Sequence, residues 1–210
     1  MEGLQVNHLF NPHLGNIFSV YAKADKIDKE FGKSAYENYH EQIAKIAVRR
    51  GCFVHVAIGM FAALSPNIDE KSNFTALIRL LEGASTCPGY PMNIEKAKRI
   101  MAGAEPLGEI QGLKTKAFYL NILCPVADNA VVVDAHIFSV WNMKRVKVQE
   151  VEGLGRNLYD QISEDFRTVA KILGMRANQL QATCWSTWKR VHNISLHLSY
   201  DSQLVMFKEG

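Results

Sequence analysis

The sequence lacks the features that mark several classes of protein. None of its apolar runs reaches the ~20 residues that a membrane-spanning helix needs. The start, MEGLQVNHLF, lacks the basic residues and the apolar core of a signal peptide. The four cysteines form no C-x-x-C pair, so the usual zinc and iron–sulfur spacings are absent and reduced thiols are expected. We therefore expect a cytoplasmic protein with no membrane partner, no metal site and no resident cofactor.

A strong excess of one charge is also missing. The 24 basic and 21 acidic side chains leave a net charge of +3, and 48% of the 210 residues are apolar. These values are ordinary for a globular protein, so any surface that binds nucleic acid has to be local. The length suits one domain, and no linker, repeat or low-complexity segment divides the chain.

Patterns that are typical of β-strands are scarce as well. Only VVVD (131–134) looks extended, and four residues do not make a sheet. Elsewhere apolar residues recur at helical spacing, and Gly or Pro lies near the ends of several of these segments. The sequence therefore predicts an all-α fold, with helices over 35–48, 52–64, 68–83, 93–103, 156–174 and 178–191.

A glycine turn with nearby lysines opens the most informative segment, 110–138. Gly112 predicts a tight turn with positive φ between two helices, which leaves backbone amides bare. Lys114 and Lys116 add positive charge at the same place, and bare amides at a helix N-terminus favour a phosphate group. The alternative is a surface turn whose lysines are only solvated.

Asp134 lies eighteen residues after Lys116 and precedes an apolar helix, which predicts a helix N-cap. Either this carboxylate is only a cap, or it stays ionised at the mouth of a pocket. His136 follows in the first turn, where packing or a hydrogen bond is its ordinary role.

The segments GLKTKAFYLNIL (112–123) and VVVDAHIFSVW (131–141) resemble the helix-hairpin-helix DNA glycosylase superfamily, of the endonuclease III type. Gly112 matches the first glycine of the hairpin, Lys116 the catalytic lysine, Asp134 the aspartate and His136 the histidine. Upstream, Ser65 and Asn73 fall on a leucine–serine pair and on the asparagine of the family's early helix. The resemblance covers about residues 52–142.

The resemblance implies one domain (1–210) of two helical lobes with a pocket between them. Residues 52–142 form the central lobe, and residues 1–51 with 143–210 form the second. The implied activity is excision of a flipped base from double-stranded DNA by a monomeric, nucleoid-associated enzyme, with or without cleavage of the strand at the abasic site.

The resemblance also implies roles for single residues. Asp134 would stabilise positive charge on the sugar, and Lys116 would form a Schiff base with C1′. The remaining residues expected to contact DNA or substrate are Gly112, Lys114, Ser65, Asn73, His136, Lys144, Arg145 and Trp185. Carbonyl groups of the hairpin would be able to hold a monovalent cation.

Some residues depart from the family pattern and keep alternatives open. Lys114 replaces the second hairpin glycine, and no four-cysteine cluster follows. Lys114-Thr115 also mimics the family's lysine–threonine pair, so the catalytic lysine is either Lys116, which the spacing to Asp134 favours, or Lys114. The alternative functions are a DNA base-hypermodification enzyme, similar to modified-thymine pyrophosphorylases, and a non-catalytic DNA-binding module. The sequence does not identify the base.

Overall fold

The computed structural model describes residues 11–127, 130–147, 151 and 153–194. Within these residues the chain forms ten helices and no β-strand, so the predicted all-α fold is confirmed. Residues 1–10, in which no signal peptide is expected, and residues 195–210 at the end of the predicted second lobe lie outside the described residues. The helices are α1 (Pro12–Ala22), α2 (Lys26–Arg49), α3 (Val54–Leu64), α4 (Glu70–Leu81), α5 (Pro91–Met101), α6 (Pro106–Glu109), α7 (Leu113–Leu123), α8 (Ala135–Asn142), α9 (Arg156–Ile172) and α10 (Ala177–Val191).

The segment between α6 and α8 has the predicted local order. The short α6 ends at Glu109, residues 110–112 turn the chain, and α7 begins at Leu113. After α7, residues 131–134 run without regular secondary structure and lead into α8. The hydroxyl of Tyr159 holds this extended run, because it donates a hydrogen bond of 2.7 Å to the carbonyl oxygen of Val131.

The apolar core is divided into two clusters. The first cluster takes its buried side chains chiefly from α2, α3, α4, α5 and α7. The second takes them from α1, the 131–134 run, α8, α9 and α10. Cluster membership therefore differs from the predicted lobe boundaries in two places. Residues 35–47 of α2 pack in the first cluster, and α8 packs in the second, because α8 turns its apolar face toward α1 and α10 rather than toward α7.

Helices α2 and α10 run antiparallel and meet very closely at Gly32. A Cβ atom on Gly32 would press against Thr183 Oγ1 and would lie within 2.7 Å of Thr183 N and 2.8 Å of Gln179 O. Polar contacts continue along the same line. Ser186 Oγ donates to Asp28 Oδ1 over 2.7 Å, and Tyr36 donates its hydroxyl hydrogen to Gln181 Oε1 over 2.6 Å.

A buried charge adds to this contact between α2 and α10. Asp28, at the start of α2, is 1% exposed and accepts a hydrogen bond from Arg190 Nη2 over 2.6 Å. Burial acts to raise the pKa of Asp28, but the hydrogen bonds from Arg190 and Ser186 outweigh it, so this pKa is lowered. The ion pair therefore ties the two helices together in addition to their close packing.

Length and apolar composition decide whether any of the described helices is suited to cross a bilayer. No single helix among them is both long and apolar enough to cross a bilayer. The α2–α3 pair has the length and composition only when its two helices are counted together, across a bend of 117°.

Replacement of Gly32 by Ala tests the α2–α10 contact. The new methyl group has to displace backbone atoms of α10, so we expect the free energy of unfolding to fall by ~1–3 kcal/mol. Gly15→Ala is the matched control, because Gly15 also lies within a helix and nothing approaches its Cβ position within 4 Å. That variant should be neutral or more stable by ~0.5–1 kcal/mol. Urea unfolding measures both, and equal stabilities for the two variants would contradict the close approach.

Candidate functional site

A cavity lies where the first cluster meets α10 and the 131–134 run. Its volume is about 310 Å³, within the size of small-ligand sites. Its walls combine six aromatic side chains with amide, hydroxyl and charged groups. The lining residues are Phe31, Ala35, Tyr36, Tyr39, Phe61, Ser65, Ile68, Asp69, Glu70, Asn73, Lys114, Thr115, Phe118, Val132, Asp134, Gln181, Ala182, Trp185 and Lys189.

Asp134 has the predicted position at the N-cap of α8 and lines this cavity. One carboxylate oxygen, Oδ1, accepts from the backbone N–H of Ile137 over 2.8 Å. The other, Oδ2, accepts from Trp185 Nε1 over 2.9 Å. These two hydrogen bonds fix the direction of the carboxylate at the N-terminal end of α8. Asp134 is therefore both a helix cap and a charged group at the cavity.

Trp185 is the tryptophan that the structure brings to the cavity. Trp141 and Trp188 are buried in the second cluster. The indole of Trp185 is half-buried and lies 6.0 Å from the ring of Phe31 and 6.1 Å from that of His136. Its edge points to Asp134, and one face is covered by a lysine.

That lysine, Lys189, is a cavity residue that the sequence pattern did not single out. Its side chain is only 8% exposed, and Nζ lies 4.3 Å above the centre of the Trp185 ring. Burial lowers the pKa of Lys189 below its ordinary value, although the charge of Asp134 acts in the opposite direction. Its place in the last turn of an apolar-faced helix was the only signal in the sequence, and that signal is weak.

The two residues matched upstream also line the cavity. Ser65, just after α3, donates its hydroxyl hydrogen to the carbonyl oxygen of Ala62 over 2.9 Å. Asn73 is buried in α4 and donates from Nδ2 to the carbonyl oxygen of Phe61 over 3.1 Å. The other amide atom, Asn73 Oδ1, has no hydrogen-bond partner among the described residues. Asn73 therefore lines the cavity and carries a buried acceptor without a partner among the described residues.

The two lysines of the hairpin segment differ in position. Lys114 lines the cavity together with Thr115 and Phe118, whereas Lys116 is not among the lining residues. Successive residues of a helix turn by about 100°, so residues two apart lie on nearly opposite sides. The geometry therefore favours Lys114 over Lys116 as the lysine that reaches the cavity.

Gly112 is the N-cap of α7, but its backbone is not what we predicted. Its φ is −71°, in the region open to any residue, so the expectation of positive φ was wrong. The turn needs no left-handed residue because α6 ends in an extended conformation at Ile110. A Cβ atom here would meet only Thr115 Oγ1, at 3.6 Å. No side chain caps the amides of the first turn of α7, so the predicted bare amides are present.

The other predicted contact residues lie outside the cavity lining. Lys144 and Arg145 follow α8 and are exposed. His136 is half-buried in the first turn of α8, edge-on to Trp185. Burial lowers the pKa of His136, the charges of Lys189 and Arg145 act in the same direction, and Asp134 opposes them. His136 is thus in ring contact with a residue of the cavity lining.

Within the part of the chain that the structure describes, no group of three or more His, Cys, Asp or Glu side chains is arranged to hold a metal ion. The fold and site thus define an all-α protein with an aromatic, charged cavity. The chain matches a family of unknown function (DUF7178) over residues 7–192 and belongs to that family. No curated protein and no solved structure matches the chain.

The lowered pKa of His136 predicts a pH dependence of stability. The unfolded chain binds a proton at His136 more readily than the folded protein does, so this residue's contribution is complete above the ordinary pKa near 6.5 and is lost as the pH falls below it. His136→Gln should therefore lose less stability than the wild type between pH 7.5 and pH 5.5. Urea unfolding at both pH values measures the difference, and parallel losses in the two proteins would refute the prediction.

Proposed function

We propose that this protein takes a nucleotide out of double-stranded DNA and cleaves the N-glycosidic bond of the flipped base. The observation that carries the proposal is the position of Asp134. Its carboxylate is held by two hydrogen bonds at the lining of an aromatic cavity of about 310 Å³. The resemblance of the 112–123 and 131–141 segments to DNA glycosylases supports the same function.

The cavity suits an unstacked base. A base that leaves the duplex loses stacking, and aromatic walls compensate for part of that loss. Phe31, Tyr39, Phe118 and Trp185 supply such walls, while Asn73 and Gln181 offer amide groups for the polar edge of the base. The same cavity has room for a base together with its sugar.

Asp134 is suited to the chemical step. Cleavage of the glycosidic bond builds positive charge on the sugar, and an ionised carboxylate beside it stabilises that charge. Each oxygen of Asp134 accepts one hydrogen bond and retains capacity for a second partner. In the proposed reaction without a covalent intermediate, the same carboxylate activates a water molecule for attack at C1′.

Lys114 is the amine that we propose for a covalent intermediate. In such a step the amine attacks C1′, the base leaves with the bonding electron pair and a proton, and the resulting Schiff base permits strand cleavage. Lys114 lines the cavity, and Lys116 does not. Sequence spacing favoured Lys116, so a variant of Lys116 serves as the comparison for a variant of Lys114.

Contact with the DNA backbone is proposed at two places beside the cavity. The uncapped amides of α7, which follow Gly112, suit a phosphate group. The exposed side chains of Lys144 and Arg145 extend the positive charge past the end of α8. A monovalent cation bound by carbonyl groups of the 110–112 turn remains part of the proposal.

A second candidate function is modification of the flipped base at its side group, without cleavage of the glycosidic bond. Two departures from the glycosylase pattern favour it: Lys114 replaces the second hairpin glycine, and the four-cysteine cluster has no counterpart in the sequence. The two candidates differ in their product, since only glycosidic cleavage leaves an abasic site. A panel of duplexes with damaged and modified bases, assayed for released base, separates them.

Asp134→Asn tests the proposed function. It removes the negative charge at the sugar, so base release should fall by about 10²–10³-fold while DNA binding persists. Asn has only one oxygen and loses either the Ile137 or the Trp185 hydrogen bond, so stability should fall by ~1 kcal/mol. Single-turnover base release and urea unfolding measure the two effects.

Asp25→Asn is the matched control, because Asp25 also caps a helix through a backbone amide and does not line the cavity. Its base release should equal that of the wild type. If Asp134→Asn releases base as fast as Asp25→Asn does, Asp134 is only a helix cap.

A pair of lysine variants tests the covalent step. Lys114→Gln should abolish borohydride trapping of the protein on a duplex that it cleaves, because the reacting amine is gone. Lys116→Gln makes the same change on the other side of α7 and should leave trapping intact. Gel electrophoresis of the trapped complex gives the readout. Loss of trapping in Lys116→Gln alone would assign the amine to the residue that the sequence spacing favours.

A further inference from the structure

Two groups in the cavity lack hydrogen-bond partners among the described residues, and the first is a fixed acceptor. Asn73 is 3% exposed, and its Oδ1 has no partner there. Its Nδ2 donates to the carbonyl oxygen of Phe61, which can only accept, so the amide cannot be turned around. A buried acceptor without a donor is costly. Asn73 therefore calls for a ligand that brings an N–H group.

The second group is a cation. Lys189 Nζ has three N–H donors, yet within the described residues it makes no hydrogen bond or ion pair and only lies over the Trp185 ring. An ammonium that is largely removed from water and still lines a cavity favours an anion there. Lys189 therefore calls for a ligand that brings negative charge.

The two groups belong to different helices, and both residues line the cavity together with its aromatic side chains. Asn73 lies on α4, beside Phe61 of the first cluster. Lys189 lies on α10, against the same indole that donates to Asp134. A ligand that satisfies both has an N–H edge at one end, a flat apolar body between them and an anion at the other end. A nucleotide has this order of groups: base edge, rings, sugar and phosphate.

We infer that the cavity binds one nucleotide in a single orientation, with an N–H of the base donating to Asn73 Oδ1 and a phosphate oxygen accepting from Lys189 Nζ. The inference rests on the base-flipping function proposed above and adds a direction of binding and a phosphate-binding residue. In this orientation the sugar lies between base and phosphate, on the side of Asp134. Lys189 thus acts on the phosphate of the flipped nucleotide rather than on C1′.

Isothermal titration of the full chain tests the orientation. The probes are the four deoxynucleosides and their 5′-monophosphates, followed by mispaired duplexes with an ordinary or a neutral methylphosphonate linkage at the mispaired nucleotide. The wild type should prefer the charged probe of a pair by about 10–100-fold, the value of a charged hydrogen bond. Lys189→Met keeps an apolar stem over Trp185 and should abolish that preference, whereas Lys189→Arg should retain most of it.

Two further variants complete the test. Lys171→Met is the matched control for loss of one positive charge, because Lys171 is exposed on α9 and does not line the cavity. It should retain the preference of the wild type. Asn73→Ala should weaken nucleosides and monophosphates by the same factor, about 10-fold, and leave the preference unchanged. Thermal unfolding shows which variants fold. If Asn73→Ala does not fold, the Lys189 variants alone test the inference.

The inference is overturned if the wild type binds charged and neutral probes equally, if it binds none of the probes, or if Lys189→Met keeps the preference. If the charged probe is preferred among the duplexes but not among the free nucleotides, the ligand is a nucleotide flipped out of DNA. If it is preferred only among the free nucleotides, the ligand is a free mononucleotide. The proposed function is judged separately by base release. If the wild type releases base but Lys189→Met keeps the preference for charged probes, only the inference is wrong. If that preference depends on Lys189 but no base is released, only the proposed function is wrong.

Discussion

The cavity depends on the close antiparallel packing of α2 and α10. At Gly32 the backbones approach so nearly that no side chain fits between them. This approach sets the distance between the residues that face the cavity from each helix, among them Tyr36 on α2 and Gln181 on α10. Any increase in the separation of the two helices would open the cavity along its length. The site is therefore positioned by a backbone contact and not by a flexible loop.

Most of the fold follows from local patterns in the sequence. The spacing of apolar residues indicated the helices now described as α2 to α5, α9 and α10, because each buries one face or, for α3, almost its whole surface. Asp134 was predictable as a cap, since an aspartate before an apolar helix has an immediate use for its carboxylate. The division of the core into two clusters was harder to predict from the sequence. A local pattern indicates that α2 and α8 are helices, but packing between residues far apart in the sequence determines which cluster each helix joins.

The candidate site was harder to predict for the same reason. The spacing to Asp134 favoured Lys116, whereas the rotation of α7 brings Lys114 to the cavity lining and leaves Lys116 outside it. Lys189 has no motif around it, and its importance comes from burial beside Asp134. The unused acceptor of Asn73 likewise depends on the direction in which its amide is held by Phe61. None of these properties is encoded by residue type and spacing alone.

Trp185 explains how the cavity keeps two opposite charges close together without direct neutralisation. Its N–H edge donates to Asp134, and its ring face attracts the ammonium of Lys189. An ion pair at contact distance would satisfy both groups and leave little for a ligand, whereas an intervening indole stabilises each charge and leaves both with unused hydrogen-bonding capacity. Under the proposed function this separation has a chemical use. The carboxylate faces a sugar that becomes positive during bond cleavage, and the ammonium faces a phosphate that is negative throughout, so each charge acts on a different part of one nucleotide.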